Sequence, residues 1–234
     1  MRPGGRSITM KTILHIRLVP MLAVFWLAAC TPSEIAHSGE QHRAGEPEPI
    51  TKGGQMMGSQ DGTTTGTATF AGGCFWCMEP SFEQLEGVEA AVSGYTGGEG
   101  ADPTYEDYER KGYLEAVQIR FDPSAVDYEQ LLDVYWRQID PTDAGGQFAD
   151  RGPGYRPAIF YHDERQKELA EASRRRLAES GRFDGPIVVD IVPAGRFYPA
   201  EDGHQDYYRK NPLRYKTYKR GSGRAGFLEK HWDK

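Results

Sequence analysis

Three cysteines in 234 residues, with none after Cys77, leave no basis for a disulfide framework. Long apolar runs are also missing. The stretch from Leu18 to Ala29 is twelve residues, short of the roughly 20 that a helix needs to cross a bilayer. Aromatic residues are absent from Thr31 to Thr65, a segment rich in Gly, Ser, Thr, Glu and Pro. Such a segment cannot bury enough apolar surface to fold and reads as a flexible tether. Basic charge is not in excess. The chain carries a formal −6, or −10 without Arg2, Arg6, Lys11 and Arg17 at its start. That balance argues against sequence-independent nucleic-acid binding. The local cluster Arg174-Arg175-Arg176 sits in a Glu- and Ala-rich helical stretch and reads as a solvated face. There is no internal repeat.

Those four basic residues, with no acidic residue before Cys30, precede the short apolar run as the charged region precedes the core of a secretory signal. Leu27-Ala28-Ala29-Cys30 resembles the lipobox of bacterial lipoproteins. The resemblance implies cleavage before Cys30, lipid attachment to its sulfur and a place in the cell envelope, on the periplasmic side. Thr31, not Asp, follows Cys30, which by the same resemblance points to the outer membrane. A signal cleaved at a later site is the alternative, and Met10 is a second candidate start. The expected organisation is a signal at 1–29, a lipid-attachment cysteine and tether at 30–65, and one globular domain at 66–234.

What the chain does have is Gly73-Cys74-Phe75-Trp76-Cys77, two cysteines three residues apart around two large aromatics. A strand-like run, Thr67 to Ala71, and a Gly72-Gly73 turn precede it. Met78, Phe82 and Leu85 follow at helical spacing, which predicts that the pair opens a helix. A helix start offers unpaired N–H groups and partial positive charge, so a lowered thiol pKa is expected there. Positions i and i+3 share a face, so Cys74 and Cys77 can close a disulfide, in a loop too small to staple a fold. Redox use is the sharper reading; two buried structural cysteines is the plainer one.

Beyond this motif, strands are expected at Val88–Val92, Leu114–Phe121, Ala158–Tyr161 and Ile187–Val192. Helices are expected at Tyr128–Ile139 and Glu164–Glu179. Gly94 to Gly98 reads as a turn, and Pro141 to Pro157 as a long loop of the kind that carries function. The tail holds Tyr207, Tyr208, Tyr215, Tyr218, Phe227 and Trp232 and reads as loop-rich, wrapping the core. The mixture suggests helices packed on one sheet.

Several blocks then match a known family in order: Gly73 to Trp76, Gly94 to Gly98, Pro103-Thr104-Tyr105, Glu115-Ala116-Val117, Phe121-Asp122-Pro123, Gly154-Tyr155-Arg156 with Ala158-Ile159-Phe160, Phe197 to Asp202, and His204-Gln205. From Gly66 to Trp232 the chain resembles the A-type peptide methionine sulfoxide reductases. The resemblance implies a two-layer α+β fold, a ferredoxin-like roll with a central mixed sheet, helices on one side and long wrapping loops. It implies reduction of methionine S-sulfoxide, free or in proteins, with Cys74 as nucleophile, Phe75 and Trp76 against the sulfoxide, Glu115 as acid, Tyr105 and Tyr155 as donors and Asp150 in support. Tyr113 stands where that family more often has His, which bears on the hydrogen bonding around Glu115.

The chemistry can be reasoned from the residues too. Thiolate attack on a sulfoxide sulfur needs an acid to protonate the departing oxygen, donors to orient it and an apolar wall for the methyl group. Cys77 would attack the Cys74 sulfenic acid and leave a disulfide for a thioredoxin-like reductant. With no later cysteine, and Ser222 where some relatives have one, recycling falls to Cys77 if the enzyme turns over with an internal thiol. No cofactor is required. His204 lies near Glu201 and Asp202, but no second His stands at ligand spacing, so no metal is expected and a structural or substrate-contact role is preferred. Tyr105, Tyr155, Glu115 and Asp150 could each be ordinary core or loop residues. The partners expected are oxidised methionine or oxidised proteins, the reductant and the membrane through Cys30; nucleic acid is not expected, and the protein is expected as a monomer. The competing functions are a thioredoxin-like disulfide oxidoreductase and a non-enzymatic lipid-tethered binding module.

Overall fold

The computed structural model describes residues 65–232. The expected signal, Cys30 and nearly all of the tether lie outside the described residues.

The chain enters through β1 (Gly66–Ala71), α1 (Phe75–Glu83), β2 (Val88–Thr96) and β3 (Leu114–Phe121). After α2 (Tyr128–Trp136) come a small hairpin, β4 (Gly146–Gln147) and β5 (Asp150–Arg151), and a 3-10 turn (Pro153–Tyr155). Then follow β6 (Ala158–Tyr161), α3 (Glu164–Glu179), β7 (Asp190–Pro193) and β8 (Tyr198–Pro199). Three helices close the chain: α4 (Tyr207–Lys210), α5 (Pro212–Gly221) and α6 (Arg224–Trp232). The main sheet runs β7-β6-β1-β3-β2-β8. Only the β6–β7 pair is parallel among its neighbours, so the sheet is mixed. This is the expected α+β class.

Two helices, α2 and α3, begin where their capping residues dictate. The Asp127 side chain accepts from the Gln130 N–H while the Gln130 side chain accepts from the Asp127 N–H, a reciprocal box that starts α2. Asp163 accepts from the Gln166 N–H and starts α3 in the same way. Their apolar stripes, with Leu131, Leu132 and Tyr135 from α2 and Ala170 and Leu177 from α3, join Met78 and Phe82 of α1 over one sheet face. That face presents Phe70, Val117, Ile119 and Ile159.

Register is what carries the chemistry into the core. On β3, Val117 and Ile119 point to the helices, and burying such side chains is worth about 2 kcal/mol each. Slipping β3 by one residue would turn both outward. Glu115 is two residues before Val117, so the same register drives its carboxyl inward against Tyr95 of β2. The opposite face holds a smaller cluster, Ala71, Leu114, Ala116, Ala158 and Phe160.

Four local expectations need correction. Gly94 is not in a turn: β2 continues to Thr96, and Gly94 pairs with Pro199 of β8. A Cβ there would lie 2.4 Å from the Tyr198 carbonyl oxygen, so the glycine admits a crossing strand. The final long strand begins at Asp190 rather than Ile187, because the Val188 N–H leaves the sheet to donate to the Pro141 carbonyl. The Pro141–Pro157 loop holds the β4–β5 hairpin. The tail is helical, with Pro212 at a first helical position and α5 ending beside Gly221 and Gly223. Its aromatics pack inward at that spacing: Tyr207 lies flat on Trp76, with centroids 3.7 Å apart, and Phe227 meets Phe148 and Phe183.

Candidate active site

Cys74 is the N-cap of α1, set there by the glycine pair. Gly73 has φ +78°, and a Cβ on it would lie 2.5 Å from the Gln147 Cβ, so only glycine fits the turn. Cys74 is 6% exposed and Cys77, one turn on, is 0% exposed; both are free thiols.

The first N–H of a helix has no partner within the helix. Here it is the Phe75 N–H, and it donates to Glu115 Oε2 at 3.0 Å, which brings the carboxyl from β3 to the start of α1 beside Cys74. The other oxygen, Oε1, accepts from the Tyr108 hydroxyl at 3.1 Å. Glu115 is 2% exposed, and burial pushes its carboxyl up to about 8 against these two donors. At neutral pH it holds its proton. Tyr108 was not singled out by the sequence; its signal was only an aromatic seven residues before Glu115. Tyr113, at the position in question, bonds elsewhere, donating to the Gly100 carbonyl at 2.9 Å. The Tyr155 hydroxyl pairs with that of Tyr108, so it reaches Glu115 through one intermediary.

Tyr105 stands at the rim, 42% exposed, with its ring 4.4 Å from that of His204. Burial lowers the His204 pKa, leaving a neutral ring whose Nδ1 accepts from the Trp76 indole N–H at 3.2 Å. Trp76 is thus held between His204 and Tyr207, while Phe75 is buried beneath, its ring 6.0 Å from Tyr95. The Tyr95 hydroxyl and the Tyr105 N–H both donate to Glu201, which ties the His204 loop to β2 and the rim. Asp150 accepts from the Tyr218 hydroxyl of α5. Tyr218 is a second participant that the sequence reading placed only among tail aromatics.

The thiols depart from expectation. Burial, then the bond to Cys77 and the nearby Glu115, hold the Cys74 thiol well above its usual range, so the helix start does not suffice to ionise it. Cys77 is the more acidic partner, lowered to about 7 by its bond from Cys74 against burial, with help from Arg224 and Lys219. Arg224 is wholly buried and donates to the Gly72 and Gln138 carbonyls, pinning α6 behind the glycine turn. The two thiols thus lie in contact at the start of α1, next to the Glu115 carboxyl. Such a site can deliver a proton to an oxygen bound over Cys74.

A cavity of about 470 Å³ lies on the opposite sheet face, lined by Leu114, Phe160 and Val192, with Arg156 and Asp190 at its edge; it contains no nucleophile. Glu79 and Glu83 of α1 converge with Asp206, but Ser93, Tyr208 and Arg209 already donate to or pair with the two glutamates.

The family model described as peptide methionine sulfoxide reductase matches residues 66–234. The chain is 62% identical over 167 residues to the peptide methionine sulfoxide reductase MsrA of Bacillus subtilis strain 168, covering 70% of this chain and 94% of that one. It is 55% identical over 167 residues to MsrA of Listeria monocytogenes serovar 1/2a, with the same coverage. Among solved structures, methionine sulfoxide reductase A of Corynebacterium diphtheriae is 34% identical with a TM-score of 0.57, over 64% of this chain and 76% of that chain. Reduced Mxr1 of Saccharomyces cerevisiae is 29% identical with a TM-score of 0.58, over 65% and 89%.

Proposed function

The chain belongs to the peptide methionine sulfoxide reductase family, an oxidoreductase by that membership, and on that premise we propose that Cys74 and Glu115 together reduce the S-epimer of methionine sulfoxide, free and in proteins. The observation that carries this reading is the Glu115 carboxyl, 2% exposed and bonded to the N–H next to Cys74.

The Cys74 thiolate attacks the sulfoxide sulfur as Glu115 gives its proton to the oxygen. The oxygen passes to Cys74 as sulfenic acid, Cys74 is oxidised by two electrons, and methionine leaves. Tyr105 and Tyr155 orient the oxygen, Trp76 over Phe75 packs the methyl group, and His204 fixes the Trp76 indole. Cys77 then attacks the Cys74 sulfur, the S–O bond breaks, and the hydroxide leaves as water, giving a Cys74–Cys77 disulfide. A thioredoxin-like dithiol returns both thiols. In the test, each epimer of a methyl sulfoxide is offered with dithiothreitol. Turnover of the S-epimer alone is expected, and equal turnover of both would overturn the assignment.

We also infer export and lipid anchoring through Cys30, on the periplasmic side of the outer membrane, from the basic start, the short apolar run and Leu27-Ala28-Ala29-Cys30. Labelled fatty acid should enter the wild-type chain and not Cys30→Ser; equal labelling would refute the anchor.

A further inference from the structure

We propose that Tyr218 is a further catalytic residue, its phenol joining the Cys74 sulfur to the Asp150 carboxylate and passing the thiol proton between them. The proposal rests on the reading above, in which Cys74 is the nucleophile.

The Tyr218 hydroxyl donates to Asp150 Oδ2, and the same hydroxyl is within hydrogen-bonding reach of the Cys74 sulfur. Its ring stands edge-on to Trp76 with centroids 6.2 Å apart, which places the phenol beside the aromatic wall. No residue of α5 is buried, so Tyr218 does not serve as a core plug; it meets the site with its ring edge on Trp76 and its hydroxyl on Asp150. Tyr215, one turn earlier on the same helix face, also lies near the thiols.

Cys74 needs such a partner. Cys77 of α1 and Glu115 of β3 both hold its thiol up, and burial does so most of all, while Tyr218 opposes them. The phenols of Tyr105, Tyr155 and Tyr215 also lie close enough to feel charge on the sulfur. Lys219 of α5, Arg224 of α6 and Asp150 of β5 act on Cys77 beside it. Among these, Tyr218 is the group that both lowers the Cys74 thiol and donates to a carboxylate.

The transfer balances without an oxidant or reductant. The Cys74 S–H bond breaks and an O–H bond forms at Tyr218, while the phenol's original proton moves to Asp150. Negative charge passes from Asp150 to Cys74, and the neutral phenol then donates to the thiolate. A phenylalanine has no oxygen to accept or donate.

The experiment uses the full chain carrying Cys77→Ser and follows iodoacetamide alkylation of Cys74, read on its own peptide by mass spectrometry, from neutral to alkaline pH. Adding Tyr218→Phe should slow alkylation about tenfold at neutral pH, the effect of one pKa unit, and the rate should recover at alkaline pH. Asp150→Asn should do the same, and the double variant should be no slower than either. A profile that superimposes on that of Cys77→Ser overturns the proposal. So does a loss that persists to alkaline pH, because it marks damaged structure rather than a lost proton path. Sulfoxide reduction surviving in Cys74→Ser would instead sink the underlying reading, whatever Tyr218 does.

Discussion

Replacing Glu115 by Gln separates two consequences of one burial. The folded state holds the carboxyl proton up to about pH 8, while an unfolded chain releases it near the usual 4.5. Between those values the folded state binds more protons, so the wild type loses stability as pH rises through the window. One pKa unit corresponds to about 1.4 kcal/mol, so the whole shift withholds on the order of 5 kcal/mol once pH exceeds 8. Glu115→Gln has no such titration. Its stability relative to the wild type should grow across that window by a few kcal/mol, with Glu79, raised to about 6 by burial, common to both proteins. Its activity should fall, because an amide cannot protonate the departing oxygen; general acids of this kind supply about 10²–10⁴-fold. Urea unfolding of both proteins near pH 5 and above pH 8 reads the first effect, and single-turnover sulfoxide reduction reads the second. A constant stability difference across pH would show that Glu115 is ionised in the folded protein. A rate within about threefold of wild type, far below that contribution, would move the proton source to Tyr105, Tyr155 or water.

Cys74→Ser should abolish reduction, because a hydroxyl lacks the acidity and softness needed to attack sulfur; wild-type-like single turnover would sink the mechanism. Cys77→Ser should yield one equivalent of methionine and a trapped Cys74 sulfenic acid, detectable with a dimedone probe, and continued thioredoxin-driven turnover at the wild-type rate would show Cys77 to be dispensable. Gly73→Ala forces a side chain into φ +78° and against Gln147. It should cost about 1–2 kcal/mol from the backbone alone and slow Cys74 alkylation, and unchanged thermal unfolding would contradict the tight turn.

The strands and helices most legible in the sequence are those whose identity is fixed by local pattern. Leu114 to Phe121 alternates cleanly, and its inward set of Glu115, Val117, Ile119 and Phe121 is the set that meets the helices. Gly94 misled because a glycine that admits another backbone looks, in one dimension, like a glycine that turns. The C-terminal helices escaped for a related reason. Their stripes carry tyrosines and cations rather than aliphatics, and α5 buries none of its residues. Within the site, the cysteines, Glu115 and the Trp76–His204 contact were approachable from motifs. Tyr108 and Tyr218 were not, because each works through a hydrogen bond that the fold creates and the spacing does not, and a hydroxyl's partner leaves no periodic trace.

The thiol acidity was the largest physical miss, and it shows how position and burial compete. A helix N-terminus is worth at most about 2 kcal/mol to a charge, and here its first free N–H is already committed to Glu115. Burial acts on Cys74 and Glu115 in the same direction, favouring the protonated form of both. That serves the acid and opposes the nucleophile. Ionisation of Cys74 therefore has to come from a group that opposes burial and Cys77 alike: the Tyr218 phenol, presented by α5 from the C-terminal part of the domain. In this domain the C-terminal helices are then part of the reacting centre, and a substitution on their site-facing side should alter thiol chemistry before it alters folding.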